Sequence, residues 1–359
     1  MAYKIKRTPE DFIVEEITPD KKVIEVGWSP KFESESQGKH LVCVLEKRDY
    51  DTHLAVKRIA RALRISQERI GYAGTKDKKA VTTQRISIQG VKKEDVDKLA
   101  LQDLTLKPWH YSRRRIVLGD LFGNRFTVKV YSDKPPSRES LEKVPNFFGA
   151  QRFGTVRPIT HIVGKKIIEG DFEGAVKVYL ARVFEEESEN ARKAREHLQK
   201  SWDLKQCLQE LPKKYKYERA MLNHLIKSPG DYIGALRALP KNLRLMFVYA
   251  YQSSLFNRFL EKAIKQGRGY EEGPLYGYQL KLRNELEKEV LEEEGVSLES
   301  FRINRMPELS SKGRRRKLWA KVIDFRIIEK GEDYYVLRFS LPKGCYATVV
   351  IDYLFGGRD

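Results

Sequence analysis

One carboxylate lies in a lysine-rich loop that could do chemistry. In RIGYAGTKDKKAVTTQRISI, residues 69–88, Asp77 is surrounded by three lysines and follows Gly71 and Gly74. Cations within a few ångströms favour the ionised form of a carboxylate and lower its pKa. An ionised aspartate is a poor general acid, but it can act as a nucleophile or as an electrostatic stabiliser. A turn that Asp77 merely caps would explain the same residues, so the loop alone leaves both interpretations open.

The two glycines of this loop do not match a nucleotide-binding motif. A P-loop requires GxxxxGK[ST] ahead of a helix, and GYAGTKDKKA lacks that spacing. The GxxG spacing resembles the nucleic-acid clamp of KH domains, but a KH loop joins two helices. Here strand-like sequence flanks the loop on both sides. Nucleotide hydrolysis is therefore unsupported, and a KH-like clamp is weakly supported.

A second candidate is VPNFFGAQRFG, residues 144–154, which combines an amide, aromatic rings and a guanidinium group. The ring of Phe148 could stack on a nucleobase, Asn146 could read its polar edge, and Arg152 could contact phosphate. A buried aromatic cluster at a domain junction is an equally good explanation of these residues by themselves.

A third candidate is the basic run of Arg113, Arg114 and Arg115, which precedes a Gly-Asn turn. Guanidinium groups bind phosphate in a bidentate manner, so contact with a nucleic-acid backbone is one interpretation. A solvated basic surface is the other.

The remaining side chains give no support for metal or disulfide chemistry. The cysteines, Cys43, Cys207 and Cys345, form no CxxC pair, and neither HExxH nor GxSxG occurs. We expect no metal, and the few cysteines fit a reducing cytoplasm.

The charge of the chain points to a polyanionic partner. The 359 residues include 69 Lys and Arg against 50 Asp and Glu, a net charge of +19. Such an excess favours nucleic acid as the partner, although a charge-rich thermophilic protein without such a partner is the alternative. The charged N-terminal sequence is no signal peptide, and the apolar runs are too short to cross a membrane. We expect a cytoplasmic protein without membrane contact.

The elements that must position these residues change in character along the chain. FIVEEI, HLVCVLEKR, TTQRISI and RFTVKVY alternate as strands do, and HLAVKRIARALRI has helical spacing after Asp51 or Thr52 as its cap. Helical patterns dominate from about Pro158 to Leu260. The last part, which includes VIDFRIIEKGEDYYVLRFSL and GCYATVVIDYL, returns to strands. This order predicts a helical insert within one mixed α/β unit.

Several of these stretches together resemble the TruD family of tRNA pseudouridine synthases, in its archaeal type. The matching stretches run in family order from residue 8 to residue 348: TPEDFIVEE, GYAGTKDKKAVTTQ, LGDLFGNRFTV, NFFGAQRFG, AYQSSLFNRFL, GPLYG and FSLPKGCYAT. The resemblance implies an α/β (α+β) fold. A catalytic domain with a mixed or antiparallel sheet flanked by helices is interrupted by a helix-rich TRUD insertion domain. The expected boundaries are 1–155 and 313–359 for the catalytic domain and 156–312 for the insertion.

The resemblance also implies roles for individual residues. The family isomerises uridine to pseudouridine, typically at position 13 of tRNA, without cofactor or metal. By motif position Asp77 corresponds to the catalytic aspartate, which attacks either the uracil ring or the ribose anomeric carbon. The other implied site residues are substrate contacts at Phe12, Asn146, Phe148 and Phe339, and supporting basic groups at Lys6 and Lys76. Phe148 has no hydroxyl to remove the C5 proton, so another group or water must do so.

The expected partner is tRNA, with phosphate contacts from Arg113, Arg114, Arg115 and Arg152. We expect a monomer with no obligate protein partner. Two alternatives to the enzyme stay open: a non-catalytic basic RNA-binding protein, and a tRNA chaperone whose action is independent of modification.

Overall fold

The computed structural model describes residues 3–33, 37–137 and 141–356. The chain divides into two compact units, one formed by Met1–Val144 and Ala320–Asp359 and the other by Pro145–Trp319. The predicted boundaries, 155/156 and 312/313, fall inside the second unit. Residues 145–155 belong to it because Asn257 bonds both backbone groups of Phe148, donating from Nδ2 to the carbonyl at 2.9 Å and accepting the backbone N–H at Oδ1 at 2.8 Å.

The first segment of the chain supplies most of the sheet in the first unit. Its elements are β1 Phe12–Ile17, β2 His40–Arg48, α1 Thr52–Ala62, β3 Ile70–Tyr72, β4 Val81–Gln89, α2 Lys93–Asp97, β5 Leu104–Ser112, β6 Gly123–Tyr131 and β7 Val144–Pro145. Asp51 caps α1 by accepting the backbone N–H groups of His53 and Leu54. The strands β1 and β2 coincide with the sequences FIVEEI and HLVCVLEKR, which alternation predicted. No strand was predicted at β5.

The second unit is mainly helical, and the chain then returns to the first. The second unit and the crossing contain α3 Thr160–Ile168, α4 Phe172–Ala181, α5 Glu189–Ser201, α6 Leu204–Glu210, α7 Lys216–Lys227, α8 Tyr232–Arg237, α9 Lys241–Lys265, β8 Glu272–Leu275, α10 Glu285–Glu294, β9 Arg314–Lys317 and β10 Trp319–Ala320. The last elements are β11 Ile323–Lys330, β12 Tyr334–Pro342 and α11 Ala347–Phe355. Within the described residues, no helix is both long and apolar enough to cross a membrane.

The sheet of the first unit has the strand order β11-β12-β6-β1-β4-β2-β5, with β3 also paired to β4. The pair β1 and β4 is parallel, with Ile13 opposite Val81 and Glu15 opposite Thr83. The other pairs in the described sheet are antiparallel. Because β1 and β4 run in the same direction, the chain segments that precede them lie at the same edge of the sheet.

The final helix differs from the prediction, which assigned strands to the end of the chain. Ala347, Val350, Ile351 and Leu354 are three or four residues apart and are buried in one cluster with the sheet residues Phe126 and Leu337. Val and Ile favour strands by propensity, but packing of one apolar helical face against the sheet overrides that preference here.

A buried ionic cluster stabilises the helices of the second unit. Arg195 is completely buried on α5, and it donates to Glu187 at 2.9 Å and to Glu218 at 3.0 Å. Its guanidinium group also donates to the backbone carbonyl oxygens at the end of α4. Because a buried cation requires compensating partners, this arginine holds α4, α5 and α7 in one arrangement.

Candidate active site

Asp77 lies on the loop between β3 and β4, at the sheet edge described above. Its side chain is 30% exposed, and its Oδ1 atom accepts a hydrogen bond from Lys6 Nζ at 3.1 Å. Among the described residues, no hydrogen bond reaches its second carboxylate oxygen. The loop therefore presents a carboxylate that is paired on one oxygen and accessible to solvent.

Lys6 reaches Asp77 because the segment before β1 and the loop before β4 meet at the same edge. Backbone hydrogen bonds between Lys4 and Tyr131, at 2.8 and 2.9 Å, fix this N-terminal segment to β6. The ammonium group of Lys6 also lies 3.9 Å from the ring centre of Phe12. A cation over an aromatic face is attracted by the ring quadrupole, so Phe12 and Asp77 hold Lys6 from two sides.

Lys47 stabilises the Asp77 loop through a hydrogen bond to its backbone. This residue at the end of β2 is 1% exposed, and its ammonium donates to the backbone oxygens of Asp77 at 2.7 Å and of Tyr50 at 2.6 Å. Burial lowers the pKa of Lys47 from 10.5 to about 8, although the nearby charge of Asp77 acts in the opposite direction. The contact fixes the main chain at Asp77 and leaves the side chain exposed.

Lys76 does not pair with Asp77, contrary to what a lysine next to the carboxylate suggested. Its ammonium is buried and donates to Glu16 Oε2 at 3.1 Å, while Arg85 Nε donates to Glu16 Oε1 at 3.0 Å. The backbone N–H of Lys76 donates to the hydroxyl of Thr52 at 3.0 Å. Lys76 therefore anchors the loop to β1 and β4, and the cation beside Asp77 is Lys6.

The two phenylalanines of the first unit that were predicted to contact substrate are buried. Phe12 is packed edge-on against Phe126, and Phe339 lies on the other side of Phe126 and contacts Phe325. Phe339 has no exposed surface. Because both rings are buried, the side chains packed against them would have to move before either ring could line a uridine pocket. That role stays a prediction for both residues.

Asn146, Phe148 and Arg152 lie together in the second unit. The amide of Asn146 is hydrogen-bonded through both ends, accepting from Arg316 Nη2 at 2.7 Å and donating to the carbonyl of Lys317 at 3.0 Å. The guanidinium of Arg316 also lies 4.0 Å from the ring centre of Phe148. Their predicted contacts with a base stay predictions, and a base that used these groups would have to displace Arg316.

The basic run 113–115 is exposed in the first unit, as a phosphate contact requires. Arg115 donates from Nη2 to the backbone oxygen of Ile70 at 2.8 Å, at the start of β3. The hydroxyl of Ser112 bonds the backbone of Arg114 on both sides. These contacts hold the segment in place and leave the side chains of Arg113 and Arg114 exposed to solvent.

The sequence interpretation missed Lys47, Glu16 and Arg85, although the first two carry a signal. Lys47 continues the buried alternation of Leu41, Cys43 and Leu45, and Glu16 continues that of Phe12 and Val14. A charged residue at the next inward position of an apolar strand face must have buried partners. Among the described residues, no group of three or more His, Cys, Asp or Glu side chains could hold a metal ion.

Comparison with known proteins identifies the family. A family model described as tRNA pseudouridine synthase D (TruD) matches residues 1–273 and 261–353. The chain belongs to the TruD family. A relative from Methanosarcina mazei, named "Probable tRNA pseudouridine synthase D", is 39% identical over 97% of this chain and 92% of its own length. A relative of the same name from Methanopyrus kandleri is 43% identical over 90% of this chain and 87% of its own length.

The TruD fold is confirmed by a solved structure. The crystal structure of a Methanosarcina mazei protein described as "Putative tRNA pseudouridine synthase D (TruD)" matches with a TM-score of 0.77 at 37% sequence identity, covering 99% of this chain and 94% of that one. The mixed α+β architecture predicted from the sequence is therefore correct.

Proposed function

We propose that this protein isomerises uridine to pseudouridine in tRNA, at position 13, with Asp77 as the nucleophile. The observation that carries the proposal is the solvent-accessible carboxylate of Asp77, held at 3.1 Å from Lys6 on a loop braced by the buried Lys47. The membership of the chain in the TruD family supports the same conclusion.

The surroundings of Asp77 suit attack by its carboxylate. Lys6 donates a hydrogen bond to one carboxylate oxygen and the side chain stays accessible to solvent, while the contact from Lys47 to the backbone of Asp77 holds the loop in place. Preorganised groups of this kind lower the cost of reaching the transition state. Attack by the carboxylate on uracil C6 or on ribose C1′ then leads to cleavage of the N1–C1′ bond.

The isomerisation is balanced without a redox partner. The freed uracil rotates, a C5–C1′ bond replaces the N1–C1′ bond, C5 loses a proton and N1 gains one. The bond that Asp77 formed to C6 or to C1′ breaks in the process, which regenerates the carboxylate. The group that accepts the C5 proton is water or a side chain other than Phe148, which has no acceptor. The roles proposed for Phe12, Asn146, Phe148 and Phe339 are to hold and stack the uracil, and Lys76 acts through the loop.

The net positive charge of the protein favours its binding to RNA. A uridine inside a folded tRNA must leave its stack before an enzyme can act on it. The net charge of +19 provides phosphate contacts that offset this cost, and we assign Arg113, Arg114, Arg115 and Arg152 to that surface. We propose that the protein works as a monomer in the cytoplasm.

The variant Asp77→Asn tests the proposal. Tritium release from tRNA labelled at C5 of uridine should fall to background, while tRNA binding persists. Carbodiimide treatment followed by primer extension should show a new stop at position 13 with the wild-type protein. Asp51→Asn is the matched control, because asparagine caps a helix about as well as aspartate, and it should keep full activity.

Turnover by Asp77→Asn above background would overturn the nucleophile assignment. A wild-type protein that binds tRNA tightly but produces no carbodiimide-dependent stop would instead favour the non-catalytic RNA-binding protein. Refolding of tRNA by both the wild type and Asp77→Asn would show that chaperone activity exists beside the isomerisation or in place of it.

A further inference from the structure

A cavity entirely within the second unit shares Phe148 and Arg152 with the residues already assigned to the substrate, but Tyr249, Lys312 and Arg314 of its lining have no role there. The cavity has a volume of about 400 Å³ and is lined by residues that include Phe148, Arg152, Tyr249, Gln252, Lys312 and Arg314. Pockets that bind small ligands begin at about 300 Å³, so a single nucleotide fits this space.

The cavity is positively charged. Arg152, Lys312 and Arg314 line it, and none of its described lining residues is acidic. Two other basic residues of this unit have acidic partners: Arg244 pairs with Glu308 at 2.8 Å, and Lys165 pairs with Glu294 at 2.8 Å. Neither Lys312 nor Arg314 forms an ion pair with any described residue. Uncompensated cations that converge on one cavity attract an anion.

The main chain that carries these cations packs closely against residues 277–279. The backbone N–H groups of Tyr278 and Gln279 donate to the carbonyls of Ser311 and Lys312 at 3.0 and 3.1 Å. A Cβ atom at Gly277 would lie 2.1 Å from the backbone nitrogen of Gly313, whose φ of +81° is itself accessible mainly to glycine. Segments that pack backbone against backbone in this way hold their neighbouring side chains at a fixed distance, as a binding site requires.

An exposed aromatic ring completes the cavity. Tyr249 lies on α9 and is 41% exposed, whereas the neighbouring aromatic residues Phe247 and Tyr251 of the same helix are buried. Its backbone carbonyl accepts a hydrogen bond from the hydroxyl of Ser253, and that hydroxyl accepts another from Arg152 Nε at 3.1 Å. Aromatic rings beside cations are the arrangement that binds single-stranded nucleic acid, because bases stack on the ring and phosphates meet the cations.

We infer that this cavity binds one nucleotide of the RNA substrate other than the target uridine, with its phosphodiester on Lys312 and Arg314 and its base against Tyr249. The inference rests on the proposed function for the identity of the RNA. It adds a nucleotide subsite to the second unit, and the affinity for RNA depends on it.

The test measures tRNA affinity in the Asp77→Asn background, so that binding is read without turnover. Tyr249→Ala should weaken the binding of unmodified tRNA transcript by about ten-fold, as expected for one lost stacking contact. Tyr249→Phe, which keeps the ring, should bind within two-fold of the parent. The double variant Lys312→Ala and Arg314→Ala should reduce the slope of log K against log salt by about one to two.

Controls separate this site from general charge effects and from the proposed function. Lys213→Ala removes one exposed positive charge of the same unit outside the cavity. If Lys213→Ala lowered the affinity for tRNA as much as the cavity variants do, the subsite would be overturned. Unchanged tRNA affinity in Tyr249→Ala would overturn it as well. If the wild type forms no pseudouridine while the cavity variants still lose affinity, the proposed function fails and the subsite stands. In otherwise wild-type protein, the loss should fall on KM; a loss in kcat at unchanged KM would assign the cavity to the target uridine instead.

A second arm distinguishes RNA from a free nucleotide. Calorimetric titration with uridine 5′-monophosphate should show no saturation below about 1 mM, an affinity limit of about −4 kcal/mol. Saturation at micromolar concentration that disappears in the double variant would reassign the cavity to a free nucleotide and overturn the RNA subsite.

Discussion

The substitution Glu16→Gln removes the negative charge from the buried cluster that anchors the Asp77 loop. Glu16 is completely buried, Lys76 is 3% exposed, and Arg85 is 14% exposed. After the substitution, the two cations face a neutral amide. The ammonium of Lys76 has no second hydrogen-bond acceptor among the described residues, whereas Arg85 keeps a bond to the backbone oxygen of Asp120 at 2.6 Å.

The expected loss of stability follows because Lys76 is left as a buried charge without its carboxylate partner. Removing one partner of a buried ion pair typically costs about 3–5 kcal/mol, because the other charge is left without compensation in a low-dielectric site. Folded domains are stable by only about 5–15 kcal/mol. We therefore expect Glu16→Gln to lower the free energy of unfolding of the first unit by about 3–5 kcal/mol and to loosen the loop next to Lys76.

Native-state hydrogen exchange on the amides of β1 and β4 measures this loss, because it reads the opening of the first unit separately from the second. Glu10→Gln is the matched control. It removes the same charge from an ion pair with Arg48 in which both side chains are at least half exposed, so exchange should hardly change.

Equal exchange in Glu16→Gln and Glu10→Gln would refute the reasoning, since it would mean that the cluster is hydrated and its charges are screened. A double variant provides a second check. Glu16→Gln combined with Lys76→Met removes both charges of the Glu16–Lys76 pair and should recover part of the stability lost in Glu16→Gln alone. No recovery would show that the loss came from Arg85 or from packing at Glu16 and not from the unpaired charge of Lys76.

Two further predictions concern the lysines around Asp77. The pKa of Lys47 falls from 10.5 when unfolded to about 8 when folded, so the unfolded chain binds more protons between pH 8 and pH 10.5. The stability of the wild type relative to Lys47→Met should therefore rise with pH across that window, by at most about 3 kcal/mol. Urea unfolding of both proteins at pH 7.5, 9 and 10.5 measures this difference in stability. A difference that does not change with pH would contradict the burial of the charge. Lys6→Met should lower kcat by about ten- to a hundred-fold, because a charged hydrogen bond contributes about 1.5–3 kcal/mol. Single-turnover tritium release measures the rate, and an unchanged rate would remove Lys6 from the site.

Much of the first unit is predictable from local pattern. Strands β1 and β2 alternate and end at turn residues, and their observed bounds agree with the stretches FIVEEI and HLVCVLEKR. The helix α11 could not be found in this way, because its β-branched residues favour a strand when they are considered alone. Its helical state depends on the cluster around Leu337, which is set by contacts distant in sequence.

The sequence indicated the solvent-accessible carboxylate of the candidate site but not the buried side-chain contacts that hold the Asp77 loop. The family resemblance named Asp77 and Lys6, which the structure places 3.1 Å apart, and their roles in the reaction stay predictions. Adjacent side chains in a loop can point in different directions, so sequence alone could not show that Lys76 turns to Glu16. That choice depends on the parallel pairing of β1 with β4, which brings Glu16 beside Arg85.

The position of β12 constrains the order in which the chain can fold during synthesis. Strand β6 pairs with β1 on one side and with β12 on the other, in nine residue pairs from Tyr334 opposite Tyr131 to Pro342 opposite Gly123. The second unit, residues 145–319, leaves the ribosome in between. At about 5–20 residues per second, β6 waits about ten seconds or more with one edge open. Such an edge can pair with another nascent chain, so translation speed through the helical segment determines how long this protein is exposed to aggregation.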